Sequence, residues 1–324
     1  MKAIVYQKYG PPDVLELQEV EKPNPKDNEV LIKVQAASVN SWDWDLVTGK
    51  PLIYRLVFGL QKPKHPIIGS DIAGRIEAVG RNVKQFQPGE EIFGDVSGCG
   101  FGAFAEYVCA REEVLALKPA GMTFAEAAAV PQAGVLALQG LRQGQIKKVQ
   151  KVLINGAGGG VGTFAVQMAK SWGAEVTGVD NREKLDLLRS LGADKVIDYT
   201  QEDFTKTGQR YDLILDVVAH RSIFDYKRAL SSEGILVIVG GSIAAIFQAV
   251  TLGTWFSKTG PKKMGILAHK PNASDLELIK ELIETGKVVP VIDRCYPLSE
   301  VAEALRYLGE GHARGKVVIM NGGE

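Results

Sequence analysis

The chain has 324 residues, enough for two domains and a substantial core. Its 38 basic and 38 acidic residues give a formal net charge of zero, so neither nucleic acid nor an anionic membrane surface is an expected partner. No apolar run reaches the length of a membrane span, and the first residues lack the apolar core of a signal peptide.

Residues 1–118 are predicted to form a β domain. Glu29–Val39 alternates between apolar and polar side chains, as expected of a strand with one buried face. Residues 71–80 and 104–109 are two further predicted strands. Many short strands without long helices indicate a barrel-like domain.

From residue 119 to residue 286, predicted strands alternate with predicted helices. The strands are expected at residues 152–154, 175–179, 195–197, 212–217 and 235–239, and the helices at 124–130, 134–144, 183–191, 223–230 and 275–285. This alternation predicts an α/β domain with a doubly wound parallel sheet. The tail (residues 314–319) is strand-like, so residues 287–324 are expected to return to the first domain.

A glycine-rich turn separates the strand at 152–154 from the next helix. Its spacing is that of a Gly-x-Gly-x-x-Gly motif, with Ala157 in the first position. Such a turn brings backbone amides and the positive end of a helix to a dinucleotide pyrophosphate. The residues expected to bind it are Gly158, Gly159, Gly160 and Val161. The alternative is a glycine-rich turn without a ligand.

Asp180, Arg182 and Lys184 follow the second predicted strand of this domain and bear on the choice of cofactor. Asp180 stands 21 residues after Gly159, where a carboxylate binds a ribose 2′-hydroxyl and favours NAD. Arg182 and Lys184 follow, and a cation there accepts a 2′-phosphate. A solvated helix start is the alternative interpretation of these two cations. Further strand ends are expected to line the nicotinamide, through Val217, Val239, Gly240 and Gly241, although the two glycines also suit a bare turn.

Three cysteines, Cys99, Cys109 and Cys295, lie far apart, without the paired spacing of a cysteine-built zinc site. This usage suits a reducing compartment, so a cytoplasmic location is expected.

Taken together, these motifs resemble the medium-chain dehydrogenase/reductase superfamily, in its zinc-free quinone oxidoreductase and enone reductase branch. The markers are ASVN (residues 37–40), PIIGSD (66–71), AAAVP (127–131), LGAD (191–194) and GK (315–316), with the glycine turn. The resemblance implies a GroES-like β-barrel domain, a Rossmann domain and a cleft between them. It also implies hydride transfer from a nicotinamide cofactor to a quinone or an α,β-unsaturated carbonyl, and a homodimer.

Zinc-dependent relatives of that superfamily carry a Gly-His-Glu motif where this chain has Gly69, Ser70 and Asp71. The imidazole ligand is therefore missing, and Gln132 and its neighbours offer no thiol. Because catalytic zinc needs three good protein ligands, no metal is expected.

The resemblance places Asn40 where it would orient the nicotinamide or donate a hydrogen bond to the substrate oxygen, whereas Asp43 is expected to be structural. Residues 42–64 are rich in aromatic, apolar and basic side chains and are predicted to form the substrate wall. The candidates there are Trp42, Tyr54, Arg55 and Phe58. The alternative is an ordinary surface loop packed on its own apolar side chains.

The quinone reductase branch usually binds the 2′-phosphate with a small residue at position 180, a lysine matching Lys184 and a tyrosine matching Tyr199. Asp180 departs from this pattern, but the other two positions agree, so NADP(H) is favoured over NAD(H). Two further functions stay open: an enoyl-thioester reductase, for which Arg55, Lys62 and Lys64 would supply a basic patch, and a non-catalytic NADPH-binding protein.

Overall fold

In the computed structural model, which describes residues 1–322, the chain folds into two compact units. The first comprises Met1–Gln132, Pro271–Glu284 and the chain from Pro290 onward. The second comprises Ala133–Lys270 and Thr285–Val289. These limits differ from the predicted domain boundaries, because residues 119–132 and Pro271–Glu284 lie with the first unit.

The first unit is built around one long strand. Its strands up to residue 117 are β1 (Lys2–Val5), β2 (Glu16–Glu19), β3 (Glu29–Val39), β4 (Asp71–Val79), β5 (Glu91–Asp95), β6 (Tyr107–Arg111) and β7 (Leu115–Leu117). The central strand β3 pairs antiparallel with β4 on one side and with β6 near its start. Its predicted position is confirmed, whereas the strand predicted at 104–109 begins three residues later, as β6. Side chains such as Ile32, Ile72 and Ile92 fill the core.

Three helices belong to this part of the chain: α1 (Ser41–Thr48), α2 (Ile53–Phe58) and α3 (Phe124–Ala128). Helix α1 starts directly after β3, where the Asp43 carboxylate accepts the backbone N–H of Asn40 at 2.8 Å. It ends at Gly49, whose φ of +60° is the left-handed conformation common at helix C-termini. Residues 42–64 were predicted to form a substrate wall or a surface loop, and the structure shows that this segment contains most of α1 and all of α2.

The second unit contains a doubly wound parallel sheet, as predicted. Its elements are α4 (Pro131–Gln143), β8 (Lys151–Asn155), α5 (Gly160–Ser171), β9 (Glu175–Asp180), α6 (Leu185–Ser190), β10 (Lys195–Asp198), β11 (Tyr211–Asp216), α7 (Ile223–Ala229), β12 (Leu230–Ile238), α8 (Ile243–Gln248), α9 (Thr254–Thr259) and β13 (Lys263–Ile266). The strand order is β10-β9-β8-β11-β12-β13, and every pairing is parallel. The side chains of these strands, such as Leu153, Ile214 and Leu236, are buried, which explains why the strand sequences are continuous apolar runs.

The last elements return to the first unit: α10 (Ala273–Glu284), β14 (Ile292–Pro297), α11 (Val301–Gly309) and β15 (Lys316–Met320). Strand β15 pairs antiparallel with β3, with Val317 opposite Val39, which confirms the predicted return of the tail. Helix α10 packs near β7 instead of closing the parallel sheet. Within residues 1–322 no helix is both long enough and apolar enough to cross a membrane.

Candidate functional site

The strand order of the second unit reverses between β8 and β11. In open parallel sheets, ligands bind at the carboxyl ends of the strands beside such a reversal. Strand β8 ends at Asn155, and the glycine turn begins at the next residue. The turn and the N-terminus of α5 therefore lie at the reversal point of the sheet.

Two glycines give this turn its shape. Gly156 has a φ of +78°, a conformation that other residues rarely adopt. At Gly162 a Cβ atom would lie 2.2 Å from the Gly156 carbonyl oxygen and 2.5 Å from the Ala157 Cα, so only glycine allows the helix to pack this close. At Gly159 the nearest neighbour of such a Cβ is 3.6 Å away. Gly159 thus has open space beside its backbone, as close approach of a pyrophosphate requires.

Asp180, at the end of β9, is hydrogen-bonded to the glycine turn. Its Oδ2 accepts the N–H of Gly158 at 2.8 Å, and its Oδ1 accepts the N–H of Asn181 at 2.9 Å. The Lys184 ammonium lies 3.7 Å from Oδ1, and both side chains are buried. The structure therefore gives Asp180 a role that the sequence did not reveal, since its carboxylate fixes the loop that was predicted to bind the pyrophosphate.

The other predicted cofactor-selecting residues lie around Asp180. Arg182 is exposed, as a solvated helix start requires, whereas Lys184 is buried and does not fit that interpretation. The backbone N–H of Tyr199 donates to the Asp180 carbonyl oxygen at 3.2 Å, and the tyrosine side chain is half exposed. The structure thus brings Arg182, Lys184 and Tyr199 to the end of the strand that carries Asp180.

The loops after β11 and β12 are joined to each other. Ala219 and Gly241 form a parallel β-bridge, and the N–H of Ala219 donates to the Gly240 carbonyl oxygen at 2.9 Å. Val217 donates its N–H to the carbonyl oxygen of Asn155, at the end of β8. The predicted nicotinamide-lining residues, which include Val239, therefore follow neighbouring strands at the same edge of the sheet as the glycine turn.

A buried polar network around Asp216, which had not been predicted from the sequence, lies beside these loops. Both oxygens of the Asp216 carboxylate accept hydrogen bonds from Asn155 Nδ2, each at 3.0 Å. The carboxylate also accepts a hydrogen bond from the Tyr226 hydroxyl at 2.8 Å and one from the Val218 N–H at 3.0 Å. Burial raises the pKa of Asp216, and the hydrogen bonds from Tyr226 and Asn155 oppose that rise. Polar residues at the ends of two neighbouring apolar strands, Asn155 and Asp216, were the available signal.

The first unit contains a second buried cluster, around Asn40 and Asp71. Asp71 Oδ2 accepts Asn40 Nδ2 at 3.0 Å, Ser38 Oγ at 2.9 Å and Lys316 Nζ at 3.2 Å. Lys316 also donates to Asn40 Oδ1, so the orientation of that amide is fixed on both sides. Neither Asp71 nor Lys316 had been predicted as a functional residue. The predicted catalytic role of Asn40 stays a prediction, since no ligand contact tests it.

Ser70 and Gln132 complete this cluster. Ser70 Oγ accepts Asn40 Nδ2 at 3.3 Å and Gln132 Nε2 at 3.4 Å, and the Gln132 N–H donates to Asp71 Oδ1 at 2.9 Å. Burial raises the pKa of Asp71, while the Lys316 ammonium lowers it. Because Lys316 already neutralises Asp71, the donor set here does not fit a divalent cation. Over residues 1–322, no three His, Cys, Asp or Glu side chains are grouped as metal ligands.

Asp43 is fully buried beside this cluster. Burial raises its pKa to about 8, the Asn40 N–H opposes this rise, and Asp71 adds to it. Its second oxygen, Oδ1, has no hydrogen-bond partner in the described part of the chain. These contacts, together with the bond to Asn40 at the start of α1, agree with the expected structural role.

The predicted substrate residues form an aromatic cluster in the first unit. The Trp42 ring centroid lies 5.5 Å from that of Phe58, 6.0 Å from that of Tyr54 and 6.3 Å from that of Phe101. Arg55 points elsewhere: its guanidinium stacks over Tyr9 at 4.5 Å. The structure thus groups Trp42, Tyr54 and Phe58, adds Phe101, and separates Arg55 from them. Their role toward substrate stays a prediction.

Models of known protein families match the sequences of both units. An alcohol dehydrogenase GroES-like domain matches residues 26–139, and a zinc-binding dehydrogenase domain matches residues 191–319. A third model, the C-terminal domain of alanine dehydrogenase/PNT, matches residues 125–219, which include the glycine turn. The fold is therefore a GroES-like domain with a Rossmann-type dinucleotide-binding domain.

Individual relatives cover nearly the whole chain. A 2-methylene-furan-3-one reductase from Solanum lycopersicum is 37% identical over 98% of this chain and 79% of its own length. An NADPH-dependent alkenal/one oxidoreductase, chloroplastic, from Arabidopsis thaliana is 36% identical with the same coverage. The solved quinone oxidoreductase from Coxiella burnetii has a TM-score of 0.88 at 30% identity and covers 99% of both chains. The chain therefore belongs to the medium-chain dehydrogenase/reductase superfamily, in the branch of quinone oxidoreductases and enone reductases.

Proposed function

We propose that this protein is an NADPH-dependent reductase that transfers hydride to quinones or α,β-unsaturated carbonyl compounds. The observation that carries the proposal is the glycine turn at the reversal of the parallel sheet, with Gly159 open to a pyrophosphate. The substrate class follows from the relatives, which are named as reductases of furanones, alkenals and quinones.

NADP(H) is the proposed cofactor. Asp180 is engaged by two backbone N–H groups and lies beside the Lys184 ammonium, so its charge is largely compensated. Exposed Arg182 and half-exposed Tyr199 are then placed to meet a 2′-phosphate. The plant alkenal/one oxidoreductase is named as NADPH-dependent, which supports the same choice.

Reduced nicotinamide, when bound, supplies the hydride. The N–H groups of Gly160 and Val161 would hold its pyrophosphate, since those of Gly158 and Gly159 already donate to Asp180 and to the Gly156 carbonyl oxygen, and the loops that contain Val217 and Gly240 would position the nicotinamide end. Asn40 is proposed to donate from Nδ2 to the substrate oxygen. Its contact with Ser70, 3.3 Å long, is weaker than its 3.0 Å contact with Asp71, so the Ser70 contact is the one that gives way.

The reaction is proposed to run without zinc. Ser70 stands where zinc-dependent relatives have histidine, and the Lys316 ammonium occupies the side of Asp71 that a cation would need. Enones and quinones accept hydride without a Lewis acid because the negative charge delocalises onto oxygen. Metal analysis of active protein tests this: activity that tracks zinc content would contradict the proposal.

A panel assay tests the proposed function. Purified protein is incubated with NADPH or NADH and with quinones, short enones and an enoyl thioester, and nucleotide oxidation is followed. Faster turnover with quinones or enones supports the proposal. Preference for the thioester would assign the chain as an enoyl-thioester reductase, and tight NADPH binding without turnover would make it a non-catalytic NADPH-binding protein.

We further propose that the protein forms a homodimer and is located in the cytoplasm. Strand β13 is an edge strand of the six-stranded sheet, and the segment before it exposes Ile243, Phe247 and Trp255. Apolar side chains beside an open sheet edge favour association with a second copy. Light scattering on the Phe247→Asp variant tests this proposal. A dimer that persists unchanged in the variant would show that this face is not the dimer interface.

The proposed cytoplasmic location rests on the cysteines. The three cysteines are unpaired, which suits a reducing compartment, although the plant relative named above is chloroplastic.

A further inference from the structure

Helix α2 in the first unit has two apolar faces. The inward face carries Tyr54 and Phe58, whose rings pack against Trp42. The outward face carries Ile53, Leu56 and Val57, which are 61%, 69% and 60% exposed. A surface helix normally turns polar residues outward, so this arrangement requires a separate explanation.

The outward face continues beyond both ends of the helix. Leu52 precedes the helix and is 69% exposed, and Leu60 follows it and is 66% exposed. Positions 53, 56, 57 and 60 follow the i, i+3, i+4, i+7 spacing of one helical stripe. We call these five residues, Leu52, Ile53, Leu56, Val57 and Leu60, the outer stripe.

The charged residues that flank the outer stripe in the sequence have one sign. Lys50, Lys62 and Lys64 are exposed and flank it on both sides. No acidic residue occurs from residue 46 to residue 70. Arg55 does not belong to this set, because its guanidinium is turned inward to the Gly49 carbonyl oxygen and the Tyr9 ring. The zero net charge of the whole chain therefore does not describe this segment.

We propose that the outer stripe docks on the surface of an anionic lipid bilayer. Exposed apolar side chains on a short helix, with exposed lysines on both sides of it in the sequence, match the interfacial layer, where apolar groups enter the acyl boundary and cations meet lipid phosphates. An acidic protein surface would satisfy the lysines but would leave five large apolar side chains in contact with charge. The bilayer satisfies both features.

Vesicle co-sedimentation tests the proposal with the full-length protein. Partition is measured on phosphatidylcholine vesicles with and without phosphatidylglycerol, at low and high salt. The wild type is expected to favour the anionic vesicles and to dissociate as salt rises. Leu56→Asp with Val57→Asp is expected to lower partition roughly tenfold, and Lys62→Glu about fivefold or more.

Val149→Asp is the matched control, since Val149 is an exposed apolar residue in the second unit. It is expected to leave partition unchanged. Equal partition of the wild type and the double variant would overturn the proposal. A change in the oligomeric state of the double variant would also overturn it, by assigning the outer stripe to a contact between copies. Should the double variant not fold, Lys62→Glu alone decides.

Discussion

Lys316 on β15 and Asp71 on β4 form an ion pair, with 3.2 Å between Nζ and Oδ2 and side-chain exposures of 2% and 0%. The two residues are 245 positions apart in sequence, and both contact Asn40. The pair therefore joins the last described strand to the cluster that surrounds the proposed catalytic amide.

Removal of the lysine is expected to destabilise the first unit strongly. Lys316→Met leaves Asp71 buried without its cation, which costs about 3–5 kcal/mol in free energy of unfolding. Asp71→Asn added to that variant is expected to restore part of the loss, because no buried charge then remains. Urea unfolding measures both variants. Lys195→Met, at an exposed ion pair with Glu175, is the control, and an equal effect of Lys316→Met and this control would contradict the role of the pair.

Asp43 is expected to make stability depend on pH. Burial raises its pKa from the ordinary 3.8 to about 8, so the folded chain holds a proton that the unfolded chain releases. Its contribution is complete below the ordinary value and is lost as the pH rises through about 8, by up to about 1.4 kcal/mol per pH unit.

The comparison of wild type with Asp43→Asn isolates this contribution from those of Asp71, Asp95 and Lys316, which also act on the site. Relative to the wild type, Asp43→Asn is expected to gain stability as the pH rises from about 5 to about 8. Asp186→Asn, at an exposed carboxylate, controls for the loss of one negative charge. A wild-type-minus-variant difference that is constant with pH would show that Asp43 is ionised in the folded state throughout.

Two glycines of the turn are expected to separate stability from binding. Gly162→Ala forces a Cβ into the backbone of Gly156 and Ala157, so it is expected to lower the melting temperature and cofactor binding together. Gly159→Ala has room for its Cβ but obstructs the pyrophosphate, so we expect normal stability and NADPH affinity lowered roughly tenfold or more. Calorimetry and thermal melts on both variants check this. Normal NADPH affinity in Gly159→Ala would place the cofactor elsewhere.

The residues around Asp180 are expected to distinguish the two cofactors. Arg182→Ala removes an exposed cation and should raise the KM for NADPH roughly tenfold without a change in the KM for NADH. Tyr199→Phe should act in the same direction and more weakly. Lys184→Ala should also raise the KM for NADPH selectively and, in addition, lower stability, since Asp180 then loses its buried partner. Steady-state kinetics with both nucleotides measure these effects, and an unchanged NADPH/NADH ratio would refute the assignment.

Much of the second unit could be predicted from sequence because its signals are local. Strand β8, the glycine turn and α5 follow one another within 21 residues, and apolar periodicity alone separates strand from helix. The first unit was harder. Helices α1 and α2 are short and are interrupted near Gly49 and Pro51, so periodicity did not reveal them.

The buried polar clusters could not be predicted from the sequence for a different reason. Lys316 and Asp71 meet only because β15 and β4 both pair with β3, and no local pattern encodes that pairing. The Asp180 carboxylate was interpreted from its spacing after Gly159, whereas its hydrogen bond to Gly158 depends on how the turn folds. A pattern in sequence thus located the candidate residues, but three-dimensional neighbours determined what each of them does.

Isotope transfer tests the central claim most directly. NADPH that carries deuterium at both positions of its reactive nicotinamide carbon is incubated with the protein and an enone, and the product is examined by mass spectrometry and NMR. We expect deuterium on the β-carbon of the reduced enone, with the rate strongly lowered in Gly159→Ala. Product without deuterium, or stoichiometric NADPH binding without any product across the quinone and enone panel, would contradict the proposed reductase.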